Sequence, residues 1–507
     1  MNFSFKIPPL LLSLISGILL AVAVPPVNLY YLAWVGLIPL LIALEKPLKS
    51  GFSEGFVAGL VFNTGTLYWL AFNSGTYPVV AALTMFVLVV VISSFWGLAA
   101  WLFRRIYNHL GQISWIVVPF SWTAWEGWQS NMGELSFPWS VLALTQTAYE
   151  PALQIMEFTG MSGVTFWVVS LNVLVLFTLR KPIFVKRILL VGIVLWFVIP
   201  FGILQHSYKY YEGNPPITKL MAVQGSLDPL AKWKGGARHS WDVYDSLSRE
   251  GFESGTEIII WPETALPTVL IERSFYTNSI SQLARELNTP IITGSSALRQ
   301  FDDDLKPMNV AYLVSPDHGI EDVYSKQILV PFGERVPFQW IFPQLGNLNL
   351  GQAEFLPGLR QSIFEVKREL DTVRFSSLIC YESIIPRQTR KAVKNGANLL
   401  VTISNDAWYG KTSEAHQIAA LSRFRCIETR RSMVRASNTG ISFLADPLGR
   451  IIRKTELLEP VSITGFLPLI EVETIYVKYG DWFLTVVSLI FGSILIYISV
   501  VKMGKAQ

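Results

Sequence analysis

Cys380 stands where an enzyme would place a nucleophile. It ends the apolar, strand-like run VRFSSLI and is followed by the polar sequence YES. Strand ends in α/β folds face crevices where ligands bind, and a thiolate in such a crevice can form a covalent acyl intermediate. The position of this cysteine therefore predicts nucleophilic catalysis.

Two charged residues in apolar surroundings could assist the thiol. Glu263 directly follows the strand-like run IIIWP, where burial would raise its pKa and suit it to act as a general base. Lys326 enters the apolar run QILVPF, and Glu334, eight residues later, is available to pair with it. Taken singly, these charges are more typical of structural ion pairs. Taken together with Cys380, they supply a nucleophile, a base and a cation for a developing oxyanion.

Other arrangements of these residue types stay open at this level. His416 could act as the base in a Cys–His dyad, although nothing near it in the sequence is typical of an orienting group. Cys380 and Cys426 are the two cysteines of the chain, and an exported domain would allow a disulfide between them. Taken alone, Cys426 lies in a helical pattern and is typical of a small buried apolar residue. The five histidines lack metal-ligand spacing and no nucleotide-binding motif is present, so no metal or other cofactor is expected.

The elements that must position these residues alternate between strand-like and helix-like segments over residues 215–472. Strands are predicted at 219–224, 257–261, 290–294, 309–314, 373–380 and 398–404, and helices at 239–251, 270–287, 384–395 and 413–431. Several of the strands are short apolar runs, as expected for strands buried on both faces. Alternation of this kind predicts a layered α/β domain.

The rest of the chain has the composition of a membrane protein. Hydrophobic residues make up 51% and charged residues 15% of the sequence, against about 25% charge in typical soluble domains. Of the 78 charged residues, 60 lie within 209–479. We therefore predict a membrane domain at 1–208 with seven transmembrane helices, a catalytic domain at 209–479, and an eighth transmembrane helix with a cytoplasmic tail at 480–507. The net charge of +4 is too small to indicate a nucleic-acid partner.

Eight apolar segments approach the length of about 17–25 residues that a membrane span needs. They lie at about 8–24, 28–45, 55–73, 78–103, 112–128, 161–179, 187–205 and 482–501. With these spans, the nine Lys and Arg residues of 1–208 all fall on one side, and the opposite loops contain none. The positive-inside rule then makes both termini cytoplasmic and puts 209–479 outside the cytoplasm. A cleaved signal peptide is the alternative for the first span, but a Pro-Pro turn leads straight into the second.

The exported loop at 129–160 contains an aromatic cluster, Phe137-Pro138-Trp139. The proline breaks a helix, and the loop is largely apolar with three glutamates. One interpretation is a loop with an interfacial aromatic anchor. The other is an arm in the headgroup layer that helps to admit lipid, in which case Trp139 would contact substrate.

Three motifs resemble, in order and spacing, the Glu–Lys–Cys motifs of the nitrilase (carbon–nitrogen hydrolase) superfamily. They are WPET at 261–264, KQILVPFGE at 326–334 and ICYES at 379–383. Segments 405–410, 423–428 and 435–440 are similar to later motifs of the same superfamily. An exported domain of this kind between seven spans and one span resembles the bacterial apolipoprotein N-acyltransferase family. The resemblance implies an αββα sandwich beside a polytopic α-helical membrane domain.

The resemblance also implies a role for each matching residue. Cys380 would be the nucleophile, Glu263 the general base and Lys326 the cation that stabilises the oxyanion, while Glu334 would position the lysine. Three further residues match positions that shape the site and its entry, and we expect them to bind substrate: Trp233, Tyr381 and Glu382. One departure is the run KTSEAHQ at 411–417, where the family usually has Gly-Pro and then Gln-His.

The implied reaction is the last step of lipoprotein maturation. An acyl chain from a membrane phospholipid, expected to be phosphatidylethanolamine, would form a thioester with Cys380 and pass to the N-terminal amine of S-diacylglyceryl-cysteine in an apolipoprotein. A membrane-tethered amidase that hydrolyses a C–N bond is the alternative. A transporter is disfavoured because the spans carry almost no ionisable residues, and an inactive scaffold because no triad member is missing. We expect a monomer in the bacterial inner membrane.

Overall fold

A computed structural model describes residues 7–47, 49–229, 232, 236–270, 274–301, 304–342, 344 and 354–506, with 501–506 described by their backbone only. The chain divides into two compact units. The first comprises Met1–Ala71, Ala81–Ser207 and Tyr479–Gln507, and the second comprises Phe72–Val80 and Tyr208–Lys478. The second unit thus includes Phe72–Val80, which the sequence assigns to the membrane domain, and the predicted domain boundaries stay a prediction.

The first unit is helical. Up to residue 207 its α-helices are α1 (Pro9–Ala21), α2 (Ile38–Glu45), α3 (Phe52–Leu67), α4 (Pro78–Leu110), α5 (Val118–Ser130), α6 (Glu150–Leu153), α7 (Met156–Thr159), α8 (Met161–Arg180) and α9 (Ile183–Ser207). Short 3-10 turns lie between several of them, at Tyr30–Trp34, Tyr68–Phe72, Gly111–Val117, Gly133–Leu135 and Leu142–Gln146.

Within the described residues, five helical segments are long and apolar enough to span a membrane. They are Phe52–Phe72, Pro78–Ser130, Met161–Arg180, Ile183–Tyr211 and Trp482–Val500. The second of them contains both the fourth and the fifth predicted spans, while the first two predicted spans correspond to shorter apolar helices, Pro9–Ala21 and Tyr30–Glu45. The predicted polytopic helical domain is therefore confirmed, and the number of eight spans stays a prediction.

Small and polar residues hold the helices of the first unit together. Gly17 on α1 lies against α3, since a Cβ on this glycine would come within 2.6 Å of the Val61 Cβ. Asn172 on α8 donates a hydrogen bond to the Ala33 carbonyl at 2.8 Å and accepts one from the Leu37 amide at 2.9 Å. Helices in lipid associate through close backbone approach and satisfied polar groups of this kind.

The described part of the second unit contains two six-stranded sheets. The strands are β1 (Ile217–Gln224), β2 (Ile258–Ile260), β3 (Ile291–Phe301), β4 (Asp304–Ser315), β5 (Gly319–Ser325), β6 (Phe364–Lys367), β7 (Thr372–Ile379), β8 (Leu399–Ser404), β9 (Ser432–Ser437), β10 (Phe443–Ala445), β11 (Ile451–Lys454) and β12 (Val461–Pro468). The helices are α10 (Ala237–Glu250), α11 (Phe275–Leu287), α12 (Pro386–Lys394), α13 (Glu414–Thr429) and α14 (Ile475–Tyr479), and the chain then returns to the first unit in α15 (Trp482–Ala506).

The two sheets have matching topologies. The strand orders are β12-β1-β2-β3-β4-β5 and β11-β10-β9-β8-β7-β6. The central strands β1, β2 and β3 are parallel, as are β7, β8 and β9, and the outer pairs are antiparallel. Carboxyl ends of parallel strands share one edge of a sheet, so residues that follow β2 and β5, or β7, β8 and β9, lie at common edges.

In the described part of the second unit, hydrophobic cores separate four layers. The central core lies between the sheets and joins residues such as Leu220 and Ile260 to Phe375 and Val401. A second core packs α10 and α11 on the first sheet, and a third packs α12 and α13 on the second sheet. The predicted αββα sandwich is therefore confirmed.

Candidate active site

Cys380 lies at a sharp turn. It follows β7 directly and begins the 3-10 turn Cys380–Ile384. Its φ of +53° is in the left-handed region, which costs a non-glycine residue on the order of 1–3 kcal/mol. Thr264, next to Glu263, and Phe332, two residues before Glu334, have φ values of +47° and +61°. Backbone strain of this kind persists only where the surrounding packing holds it in place. It is found more often at functional sites than elsewhere.

Glu263 lies just beyond β2 and is 6% exposed. Its Oε1 accepts a hydrogen bond from Asn309 Nδ2 at 2.6 Å and lies 3.5 Å from Lys326 Nζ. Gly294 on β3 leaves room for this turn, since a Cβ there would come within 2.6 Å of the Glu263 Cα and of the Pro262 carbonyl oxygen. The base predicted from the sequence is therefore fixed both by its side chain and by its backbone.

Lys326 follows β5 and is 1% exposed. Its Nζ lies 2.7 Å from Glu334 Oε1, and Glu334 Oε2 accepts a hydrogen bond from the Val330 amide at 2.8 Å. Burial alone would lower the pKa of Lys326, but the carboxylates of Glu334 and Glu263 raise it above its ordinary value. The side chain is therefore a permanent cation held between two acids.

The proposed base perturbs the nucleophile. Burial raises the pKa of Cys380 well above its ordinary value, and the Glu263 carboxylate raises it further while Lys326 lowers it. Burial also raises the pKa of Glu263, against the opposing effect of Lys326. Both groups bind a proton more tightly than they would in water. A raised pKa makes the Glu263 carboxylate a stronger base than an exposed carboxylate, as a general base for a thiol requires.

Asn309 is a site residue that the sequence analysis missed. It is 3% exposed on β4. Its side chain donates to Glu263, and its carbonyl accepts from the Lys326 amide at 2.9 Å. It therefore connects the base to the cation. The available signal was a polar residue at the start of an otherwise apolar predicted strand.

The Glu382 carboxylate joins the two sheets and is fully buried. Oε1 accepts hydrogen bonds from the Tyr324 hydroxyl at 2.8 Å, the Gln327 amide at 2.7 Å and the Ile328 amide at 3.0 Å. Oε2 accepts from the Ile379 amide at 2.9 Å. These bonds fix the lysine-bearing segment beside the cysteine turn. Its predicted contact with substrate stays a prediction.

A buried ion pair lies at the ends of the neighbouring strands. Asp406 follows β8 and lies 2.9 Å from Arg435 Nη2 on β9, and the Ser437 hydroxyl donates to the same carboxylate at 2.9 Å. Asp406 raises the pKa of both Cys380 and Glu263. The pair lies in the segments 405–410 and 435–440, which are similar to later motifs of the superfamily, and no role was predicted for either residue.

The alternatives weighed from the sequence gain no support from these contacts. Cys380 and Cys426 are both free thiols, so the alternative disulfide is absent. Cys426 is buried in the core between α13 and the second sheet, as expected for a small apolar residue. His416 is half-buried and interacts with Lys454 and Glu456. Among the described residues, no group of three or more His, Cys, Asp or Glu side chains could hold a metal ion.

The remaining predicted binding residues lie in different places. Tyr381, next to the nucleophile, is 4% exposed. Trp139 belongs to the first unit, where it is 2% exposed and its ring centroid lies 4.7 Å from that of Trp69. Trp233 lies outside the described residues. Their predicted contacts with substrate stay predictions.

Comparisons with known proteins cover nearly the whole chain. A model of the apolipoprotein N-acyltransferase N-terminal domain matches residues 16–174, and a carbon–nitrogen hydrolase model matches residues 222–465. The apolipoprotein N-acyltransferase of Geobacter metallireducens is 33% identical over 93% of this chain and 92% of its own length. That of Chlorobaculum tepidum is 31% identical over 93% of each chain. Among solved structures, an amidase from Nesterenkonia sp. aligns with 53% of this chain and 95% of its own, at 18% identity and a TM-score of 0.38.

Proposed function

The chain belongs to the apolipoprotein N-acyltransferase family, and from that premise we propose a two-step acyl transfer through Cys380. The protein is an acyltransferase of lipoprotein maturation and a multi-pass bacterial membrane protein. We propose phosphatidylethanolamine as the acyl donor and the amine of an N-terminal S-diacylglyceryl-cysteine as the acceptor. The alternative of an amidase is not favoured by the relatives.

The observation that carries this mechanism is the buried cluster beside Cys380. Lys326 Nζ lies 2.7 Å from Glu334 and 3.5 Å from Glu263, and the lysine and Glu263 both act electrostatically on the thiol. A nucleophile, a base and a fixed cation are the groups that acyl transfer needs. Each is held by hydrogen bonds or by close packing, so little reorganisation would accompany the reaction.

In the first step, Glu263 takes the thiol proton while the sulfur attacks an ester carbonyl of the phospholipid. Lys326 stabilises the oxyanion of the tetrahedral intermediate, an interaction worth roughly 3–4 kcal/mol in comparable sites. The intermediate collapses as the C–O bond breaks, and Glu263 returns the proton to the leaving alcohol. A lysophospholipid departs and the acyl chain remains as a thioester on Cys380.

In the second step, the acceptor amine attacks the thioester carbonyl. Lys326 again stabilises the oxyanion, and Glu263 accepts a proton from the nitrogen. The C–S bond breaks, the amide product leaves, and the thiolate of Cys380 recovers its proton. Because the first product leaves before the acceptor reacts, ping-pong kinetics follow.

We also propose an orientation for the chain. The nine Lys and Arg residues of 1–208 favour cytoplasmic placement of the loops that carry them. Residues 209–479 would then form the catalytic domain outside the cytoplasm, and both termini would be cytoplasmic. A domain inserted between two spans reaches substrates that are themselves anchored by lipid. We expect the protein to act as a monomer.

The thioester is the feature to test first. The purified protein is given phosphatidylethanolamine with a labelled acyl chain and no acceptor, and its intact mass is measured. We expect one acyl adduct that neutral hydroxylamine removes. Addition of a diacylglyceryl-cysteine peptide should transfer the label to the peptide amine.

Two variants make the test specific. Cys380→Ala should give no adduct, whereas Cys426→Ala, which removes the other cysteine from a packed core, should keep it. Absence of an adduct from any phospholipid, with a reduced and reactive Cys380, would overturn the proposed mechanism. Release of the acyl chain to water at the same rate with and without the peptide would instead support a hydrolase.

A further inference from the structure

A second lysine of the catalytic unit is buried without a neutralising contact. Lys232 is 3% exposed, and its Nζ has no hydrogen-bond partner among the residues that the structure describes. Its backbone amide donates to the Asp228 carbonyl at 2.9 Å, beyond the carboxyl end of β1. Lys326, by contrast, has carboxylates at 2.7 and 3.5 Å. Only one of these two buried cations is therefore neutralised by contact.

A buried ammonium without an acceptor is an unusual feature of a folded protein. Burial of an unpaired charge costs several kcal/mol, so such groups normally have a partner or lose their charge. Burial lowers the pKa of Lys232 to about 7, and the Glu263 carboxylate opposes this effect. Lys232 follows β1, which is parallel to β2, so it lies beyond the same edge of the sheet as Glu263, and the two side chains interact electrostatically. An anion that enters the site would supply the acceptor that this side chain lacks.

The two substrates of the proposed reaction differ in one charged group. A phospholipid donor carries a phosphodiester on the same glycerol as the ester that is cleaved, whereas the diacylglyceryl-cysteine acceptor has no phosphate. Lysine binds phosphate as a compact point charge with three donors. On the basis of the proposed function, we propose that Lys232 binds the phosphate of the acyl donor and so directs phospholipids to Cys380.

Under this assignment, the two lysines interact with different groups of the donor: Lys326 with the oxyanion and Lys232 with the phosphate. Lys326 is held by Glu263 and Glu334. In the proposed reaction its charge stabilises the oxyanion that forms next to them. Lys232 has no such partner among the described residues, and an anion at the other end of the glycerol would favour its charged form. Lys232 therefore affects the first step, in which the phosphate is present, and leaves the second step unchanged, because the lysophospholipid has departed by then.

Matched acyl donors test the assignment in the first step. Thioester formation on the full-length protein is measured without acceptor, with phosphatidylethanolamine or with diacylglycerol of the same chains in the same detergent. Lys232→Met should slow labelling by phosphatidylethanolamine roughly tenfold to a hundredfold, the effect of losing a charged hydrogen bond, and change labelling by diacylglycerol less than about twofold. Lys232→Arg should recover part of the loss. Lys306→Met, which removes a partly exposed lysine on β4, is the control and should match the native protein.

The second step separates phosphate binding from other roles. Enzyme already acylated on Cys380 is mixed with a diacylglyceryl-cysteine peptide, and transfer is followed in a single turnover. Lys232→Met should transfer at the native rate. An equal loss with both donors, an unchanged rate with phosphatidylethanolamine, or a defect confined to the second step would each overturn the inference. If the native protein forms no thioester with either donor, the proposed function fails and this inference fails with it.

Discussion

The hydrogen bond from Asn309 to Glu263 favours the charged form of the proposed base. Glu263 must be ionised to accept the thiol proton, so the rate of thioester formation falls as the pH drops through its pKa. Burial raises that pKa above the ordinary value of 4.5. We therefore expect the acid limb of the pH profile to lie above that of an exposed carboxylic acid.

Asn309→Ala should move this limb to still higher pH. The Asn309 side chain donates to Glu263 at 2.6 Å and lowers the pKa of the carboxyl group by stabilising its charged form. Without this bond, the pKa rises further. The measurement is the initial rate of acyl labelling between pH 4 and pH 9 for native and variant protein. A lower plateau with an unmoved limb would mean that Asn309 only supports the fold, and Asn395→Ala, an exposed asparagine after α12, is the control.

Some residues of the site could be predicted from the sequence and others could not, for a physical reason. Cys380 and Glu263 are polar groups at the ends of apolar runs, and such a position is unusual whatever the fold. Asn309 and Asp406 contribute to the site through contacts with Glu263 and Arg435, which are 46 and 29 residues away in the sequence. One sequence without the fold contains no sign of those pairs. The roles of the predicted residues stay predictions until the variants are measured.

At the scale of elements, Gly294 sets the distance between β3 and the turn that carries Glu263. A Cβ at this position would come within 2.6 Å of the Glu263 Cα and the Thr264 nitrogen, which are backbone atoms of a strained turn. Gly294→Ala should therefore displace the base by some tenths of an ångström or more. Misplacement of a catalytic group by 1 Å can lower a rate about a hundredfold.

We expect Gly294→Ala to reduce thioester formation at least tenfold while the protein stays folded. Labelling rate and thermal unfolding are measured together on the detergent-purified protein. Gly213→Ala is the matched control, because a Cβ at that glycine meets no atom within 4 Å. An active variant with native kinetics would show that the turn can shift without moving the Glu263 carboxylate.

The strands that could be predicted are those with a continuous apolar run. All six predicted strands are present, although β3 and β4 extend well beyond their predicted ends. Among the described residues, six other strands were missed: β5, β6, β9, β10, β11 and β12. In β9 the buried Arg435 interrupts the apolar pattern, and β11 is exposed throughout. These strands are stabilised by neighbours in the sheet, and such pairing leaves little trace in local sequence.

At the scale of the whole molecule, the proposed reaction explains why a soluble fold is joined to membrane helices. Both substrates are held in the bilayer by acyl chains, and removal of a chain into water costs about 0.8 kcal/mol per methylene group. A catalytic domain inserted between membrane spans avoids that cost. The spans could be predicted from hydropathy, but the first two correspond to short helices, which composition alone does not distinguish from longer ones.

The proposed orientation can be tested with single cysteines in two exposed loops. Asn131→Cys follows α5 in the loop predicted to be exported, and Pro182→Cys lies between α8 and α9 beside Arg180 and Lys181, on the predicted cytoplasmic side. Each is made in a Cys380→Ala chain, whose remaining Cys426 is fully buried. A membrane-impermeant maleimide should label the Asn131→Cys chain in cells whose outer membrane has been opened, and the Pro182→Cys chain only after the inner membrane is also disrupted. The parent Cys380→Ala chain measures background. Labelling of the Pro182→Cys chain before that disruption would reverse the proposed topology and put the acyltransferase site on the cytoplasmic side.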